Sequence, residues 1–296
     1  MTKTAAVFGA TGAQGAPVVR EALALGMTVR AIARSASEIA QMHPEAAATA
    51  ATLDDTDALV TALEGVDAAF LHLPLPTGPD AAQTWMGAFL QAAHRVALPL
   101  LVYTTGGPTG DRFPSSVVVD GGTAGMKALL GSGIPTIVLQ PALYLENLLP
   151  PVFVPRLHAE GILDYPPVPS DLKVQWTSHA DQGRIAAAAL DRPELAGTAY
   201  EIGTPEALTG AELAALLADH LGRDVRFDPI TPDVFGARVG EAMGNPGVAF
   251  ALSDLYGSVA KLSVDEMRVD TSTIEETFGV KLRSVADHIG GWPKEV

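Results

Sequence analysis

The feature that most constrains this chain is Gly9-Ala10-Thr11-Gly12-Ala13-Gln14-Gly15, set directly after the apolar run Ala5-Ala6-Val7-Phe8 and directly before a helix-like segment. Glycines at these three positions have separable uses. Gly9 permits a tight turn, Gly12 lets a ligand approach the backbone, and Gly15 allows the helix to pack close to the strand. The free N–H groups at the start of that helix favour an anion, so the spacing points to the pyrophosphate of a dinucleotide. Thr11, Ala13 and Gln14 complete the loop, and Gln14 adds a side-chain donor.

The surrounding pattern agrees. Pro17 stands in the first helical turn, Val19, Ala22 and Leu23 recur at helical spacing, and Gly26 supplies a stop. Strand-like runs follow at Met27 to Ala33, Ala68 to Leu71, Leu100 to Tyr103 and Ile134 to Leu139. Helix-like runs lie over Asp57 to Leu63 and on the face marked by Trp85, Phe89 and Ala93. This alternation predicts an α/β chain with a Rossmann-type, doubly wound parallel sheet over residues 1–150. Beyond Pro141, Pro150-Pro151 and Tyr165 to Pro169 read as loops of a smaller C-terminal substrate lobe, residues 151–173 and 205–296. The sheet is expected to be re-entered by 174–204. A helix is expected over Ala180 to Leu190, and a capping box at Thr209 and Glu212 opens another to Leu221.

In dinucleotide-binding units an acid about 20 residues beyond the glycines takes the ribose hydroxyls of NAD; here Arg34 stands at the end of the second strand, followed by Ser35. A guanidinium suits a 2′-phosphate, so NADP(H) is expected in preference to NAD(H), with Arg30 the weaker candidate.

Composition narrows the chemistry. The 296 residues carry 19 Lys+Arg against 34 Asp+Glu, a net charge of −15, which opposes nucleic-acid and membrane-surface partners. The absence of Cys excludes thiolate catalysis and thiolate-held metals. The seven His residues fall at no metal-ligand spacing, so no metal is expected, and neither a GxSxG nor a GxxxxGK[ST] motif is present. No apolar stretch has the length of a membrane span or a secretory leader, which predicts a cytoplasmic protein. A small apolar or aromatic molecule is the expected partner, and a homodimer is left open.

The chain resembles the NmrA-like branch of atypical short-chain dehydrogenases, which includes quinone oxidoreductase-like and isoflavone reductase-like enzymes. The resemblance is carried by Gly9 to Gly15, Arg34, Leu53-Asp54, Leu59 to Asp67, Ser132 to Pro141 running on to Glu146-Asn147, Asp181 to Arg184, and Gly197 to Gly203 with Thr209. It implies that Leu53 and Asp54 flank adenine and that His72 and Leu73 lie by the nicotinamide ribose. It places Thr104 and Thr105 near the reactive ring, with Pro141 to Tyr144 closing over it.

Ordinary short-chain dehydrogenases pair a Tyr with a Lys four residues on, the ammonium lowering the phenol's pKa. None of the five Tyr residues here has that partner, and anchoring on Ser132-Gly133 places Gly122 where isoflavone reductase-like members carry their lysine. Lys127 and Tyr144 remain the catalytic candidates. Tyr103, Asn147, Phe153, Tyr165 and Trp176 are candidates to line an acceptor site, with core packing the competing role for the aromatics. The reading that follows is an NADPH-dependent oxidoreductase passing hydride to a quinone or other conjugated carbonyl. A non-catalytic NADP-sensing regulator and a tailoring reductase for a larger metabolite are the alternatives.

Overall fold

The computed structural model describes residues 2–74, 80–113 and 115–294. Its centre is a seven-stranded sheet in which every neighbouring pair runs parallel. The first half lays down β1 (Thr4–Phe8), α1 (Gly15–Ala24), β2 (Thr28–Ala33), α2 (Ala36–Met42), β3 (Ala47–Ala50), α3 (Thr56–Leu63), β4 (Ala68–His72), α4 (Ala81–Arg95), β5 (Leu101–Thr104), α5 (Val117–Leu130) and β6 (Thr136–Pro141). Next come β7 (Leu143–Tyr144), α6 (Pro155–Glu160), β8 (Ile162–Leu163), β9 (Val174–Thr177), α7 (His179–Ala189) and β10 (Thr198–Ile202). The sheet order is β10-β6-β5-β4-β1-β2-β3, so the winding reverses between β1 and β4. This is the Rossmann order, and ligands of such sheets bind beyond the carboxyl ends of the strands at that reversal.

Alternation along each strand explains the two flanking layers. Val7, Val29, Phe70, Val102 and Ile137 face a core completed by α1, α2 and α7. Phe8, Ile32, Leu71 and Leu101 face one completed by α3, α4 and α5. A sheet buried on both faces must be apolar on both, which is why these strands read as continuous runs.

The lobe holds a third core, built from β7, β9 and the C-terminal elements β11 (Ala207–Leu208), α8 (Gly210–Leu221), β12 (Arg226–Phe227), α9 (Pro232–Ala242), α10 (Pro246–Val259) and α12 (Val285–Gly290), while α11 (Thr271–Phe278) lies outside it. Thr209 and Glu212 form the expected capping box at the start of α8. Two placements differ from the sequence reading. Val174–Thr177 joins a separate three-stranded sheet with β7 and β11, and only β10 re-enters the central one. Ile274, Phe278 and Leu282 leave the lobe and pack on the central sheet's core, with the Phe278 ring 5.1 Å from that of Tyr200.

The turn between β1 and α1 is the tightest close approach around the glycine loop. Gly9 has a φ of +68°, and its carbonyl accepts from the Gly12 N–H at 2.8 Å. A Cβ on Gly15 would lie 2.3 Å from the Gly9 carbonyl oxygen, contact with backbone that cannot yield. Gly15→Ala is therefore expected to lower stability by about 1–3 kcal/mol in urea denaturation. Gly87, exposed within α4 with open space at its Cβ position, is the control. Gly87→Ala should raise stability by roughly 0.5–1 kcal/mol through helix propensity; a Gly15→Ala protein as stable as wild type contradicts the packing account.

Candidate cofactor and hydride-transfer site

The glycine loop, His72 and Thr104 stand side by side at the carboxyl edge of the sheet. Register places His72 opposite Thr104 and Thr104 opposite Leu139, while a Cβ on Gly9 would sit 3.8 Å from the His72 ring. Gly12 and Ala13 are exposed, and a Cβ on Gly12 would meet only the Gly9 carbonyl, at 3.2 Å. The loop is thus open on the side where the first N–H groups of α1 point. Beneath it the buried His43 ring bonds the Ala10 carbonyl at 2.9 Å.

Around this edge lies a polar cluster of mainly buried side chains. The Tyr144 hydroxyl is 2.6 Å from Gln182 Oε1 and 3.0 Å from Gln14 Oε1, and the Gln182 amide nitrogen donates to Gln14 Oε1 at 3.2 Å. Thr104 Oγ1 donates to Gln182 Oε1 at 3.2 Å and accepts from the Gly106 N–H at 3.3 Å. The His179 ring packs on Tyr144 at 4.5 Å between centroids, and the His179 N–H donates to Glu146 Oε1 at 2.9 Å. His72 Nδ1 and Glu146 Oε2 are buried and have no hydrogen-bond partner among the described residues.

Burial governs the charge of this cluster. It holds His72 down to about 4, and holds His179 down to about 4 with the neighbouring His72 adding to the effect. It raises the Tyr144 phenol well above its usual range, and it raises Glu146 as well. At neutral pH the site presents two neutral imidazoles and a protonated phenol, and no Lys or Arg among the described residues contacts Tyr144.

The other predicted residues divide. Arg34 is exposed and makes no hydrogen bond or ion pair among the described residues, whereas Arg30 donates to the carbonyls of Ala62 at 2.8 Å and Glu64 at 2.9 Å, capping α3. Leu53 is half-buried against the α3–α5 core and Asp54 is exposed; the cap of α3 is Asp55. Leu73 follows β4 and packs on the same core as Tyr103, whose phenol burial pushes up to about 12. Thr105 turns its hydroxyl to the Gly107 carbonyl at 2.7 Å. Pro141 ends β6 and lines a recess with Thr109, Arg112 and Met267.

Three expectations meet a different environment. Lys127 lies on the outward face of α5, ion-paired with Asp111 at 3.0 Å, with no contact to the Tyr144 cluster. A helical repeat that buries Val119, Thr123 and Met126 turns Lys127 to solvent. Tyr165 and Trp176, 0 % and 1 % exposed, are packed with Phe153, Phe235 and Tyr256 in the lobe core instead of lining an open wall. Asn147 donates to the Tyr165 hydroxyl at 3.0 Å. Gln182, His179 and Glu146 join the site without a sequence expectation: the helix start 35 residues beyond Tyr144 carries no local sign of returning to it, and Glu146 acquires its role only from that return. For Gln182 and Glu146 the one trace is that Asp181 to Arg184 and Glu146 fall in the segments that carry the family resemblance.

The model of the NmrA-like family matches residues 1–286. The chain belongs to the NmrA-like family. It is 30% identical over 285 residues to an NAD(P)H azoreductase of Xenophilus azovorans, covering 95% of each chain. It is likewise 30% identical over 227 residues, 77% of each chain, to the (4-alkanoyl-5-oxo-2,5-dihydrofuran-3-yl)methyl phosphate reductase of Streptomyces griseus. Among solved structures, an NADPH-dependent quinone oxidoreductase of Escherichia coli complexed with NADPH superposes with a TM-score of 0.78 at 22% identity, over 96% of this chain and 98% of that one. The family and the oxidoreductase class implied by the sequence motifs are thereby borne out, and the NmrA-like fold is shared across nearly the whole chain.

The neutral imidazoles have a consequence for stability. Unfolded His titrates near 6.5, so the unfolded chain takes up protons first and falling pH favours unfolding, from about 6.5 down to about 4. Each imidazole is expected to cost roughly 1 kcal/mol between about pH 7 and 5.5. Glu146 acts in the opposite sense, and comparing wild type with His72→Asn cancels it. Urea denaturation at the two pH values should show the smaller loss in His72→Asn; identical losses contradict neutral burial of His72.

Proposed function

We propose that this NmrA-like chain binds NADP(H) across the glycine loop and reduces a quinone or another conjugated carbonyl compound. The observation that carries the reading is the state of Tyr144, a phenol beside the glycine loop that burial keeps protonated and that no lysine or arginine among the described residues contacts. When bound, the cofactor supplies a hydride from its nicotinamide.

The residues present fit that group. The open backbone at Thr11 to Gln14 and the start of α1 suit the pyrophosphate, and Arg34, without a hydrogen bond or ion pair among the described residues, suits a 2′-phosphate. Arg30 is committed to the end of α3, which leaves Arg34 as the residue for discrimination. His72 and Thr104, level with the loop at the next two strand ends, suit the nicotinamide half.

The rest follows from what the chain lacks. Reducing a simple ketone requires a strong proton donor for the developing alkoxide, which short-chain dehydrogenases obtain from a lysine-activated tyrosine. Here Gly122 occupies the position of the alternative lysine, and a Cβ there would stand 2.9 Å from the Thr109 methyl. A conjugated acceptor spreads the incoming charge over its own π-system, and alignment of donor and acceptor then supplies most of the rate. The names of two curated relatives, the azoreductase and the phosphate reductase, describe reduction of conjugated groups, an azo bond and an unsaturated lactone.

The test is NADPH and NADH consumption against a panel of quinones and enones, with cofactor titrations alongside. Wild type is expected to turn over with NADPH. Arg34→Ala should weaken NADPH binding roughly 10-fold or more and leave NADH within about twofold. Equal losses for the two cofactors contradict the role of Arg34. Tight NADPH binding without turnover on any acceptor favours the non-catalytic sensor.

A further inference from the structure

Two hydroxyls, those of Thr104 and Tyr144, converge on one amide oxygen at the sheet edge and give the hydrogen bonds there a direction. The Gly106 backbone N–H donates to Thr104 Oγ1 at 3.3 Å, and Thr104 Oγ1 in turn donates to Gln182 Oε1 at 3.2 Å. Tyr144 donates to the same oxygen at 2.6 Å. With Oε1 held on that side, the Gln182 amide nitrogen faces Gln14 and donates to its Oε1 at 3.2 Å. Gln14 is then left with its own NH2 turned the other way, 3.8 Å from the Cβ position of Gly106, and its two N–H bonds have no acceptor among the described residues.

We propose that Gln182 is a positioning residue: it fixes the rotation of the Gln14 amide so that two N–H donors, and not a carbonyl oxygen, face the pyrophosphate of the bound dinucleotide. The proposal rests on the NADP(H) reading of the loop. Its energetic sense is plain. A free glutamine presents either end of its amide to solvent, and a carbonyl oxygen turned toward a phosphate repels it, whereas a fixed donor meets it without reorganising. Gln182 can hold this orientation because it is fully buried on α7, and α7 is brought against α1 by Gly183, whose Cβ would lie 2.6 Å from Pro17. The substrate-side phenol of Tyr144 and the phosphate-side amide of Gln14 are thereby tied to one buried side chain.

The experiment is a double-mutant cycle read by binding, with two probes. NADPH contains the pyrophosphate; adenosine 2′-monophosphate lacks it and reads only the adenine and 2′-phosphate end. Gln182→Leu is expected to weaken NADPH roughly 10-fold and to leave adenosine 2′-monophosphate unchanged. Gln14→Ala should give a similar loss, and the double variant should be no weaker than Gln14→Ala alone, since Gln182 acts through Gln14. Thr104→Val, which removes one of the two hydroxyls that set the direction, should shift NADPH binding the same way and serves where Gln182→Leu does not fold. Additive losses, an equal loss for the probe without pyrophosphate, or full NADPH affinity in Gln182→Leu or, where it does not fold, in Thr104→Val overturns the role of Gln182. A wild-type protein that binds neither NADPH nor NADH overturns the cofactor reading and this proposal with it. One that binds NADPH without turnover overturns hydride transfer alone, and the cycle still decides the role of Gln182.

Discussion

The structure depends first on the contact between the start of α1 and the carbonyl of Gly9. Because a Cβ at Gly15 would stand 2.3 Å from that oxygen, only glycine lets the helix begin directly above the strand it follows. That closeness aims the helix N-terminus at the carboxyl edge of the sheet, where the winding reverses. A second close approach, Gly183 against Pro17, draws α7 onto α1. The two contacts bring residues 14, 104, 144 and 182, far apart in the chain, into one hydrogen-bonded group.

That group is nearly uncharged inside a protein of net charge −15. Burial keeps His72 and His179 neutral and the Tyr144 phenol protonated, while the cation suited to the cofactor, Arg34, stands outside it at the end of β2. Separation of this kind assigns binding and chemistry to different places. Under the proposed function, charge would recognise the phosphate end, and the uncharged, hydrogen-bonded edge would receive the ring. Without a cation to ionise a phenol, the site is suited to acceptors that stabilise charge themselves.

Legibility in the sequence followed the range of the interactions. The glycine loop, the apolar strands of the doubly buried sheet and the Thr209–Glu212 cap are local patterns, and each stands where the sequence places it. The edge strand Ala47–Ala50 has only small residues, three of them exposed, and so carries no periodic signal. The tie of Arg30 to the end of α3, 32 residues away at Ala62, and the burial of Tyr165 and Trp176 under helices from the last quarter of the chain are long-range contacts that leave no local pattern. Lys127 lies on a helix whose place in the chain suggests a site role, and that helix's buried face turns it to solvent. Gln182 shows the limit most clearly, since its significance lies entirely in partners 38 to 168 positions distant.

The central claim is that this edge of the sheet directs hydride from a bound nicotinamide to a conjugated acceptor without a tyrosine–lysine pair. The most direct test is a single turnover with NADPH deuterated at the transferred position of the nicotinamide and an enone as acceptor, followed by mass and NMR analysis of the product. The account predicts deuterium on the β-carbon of the reduced enone, with a solvent-derived proton on the α-carbon. Deuterium retained on the cofactor, with NADPH bound but unconsumed across enone and quinone acceptors, contradicts it.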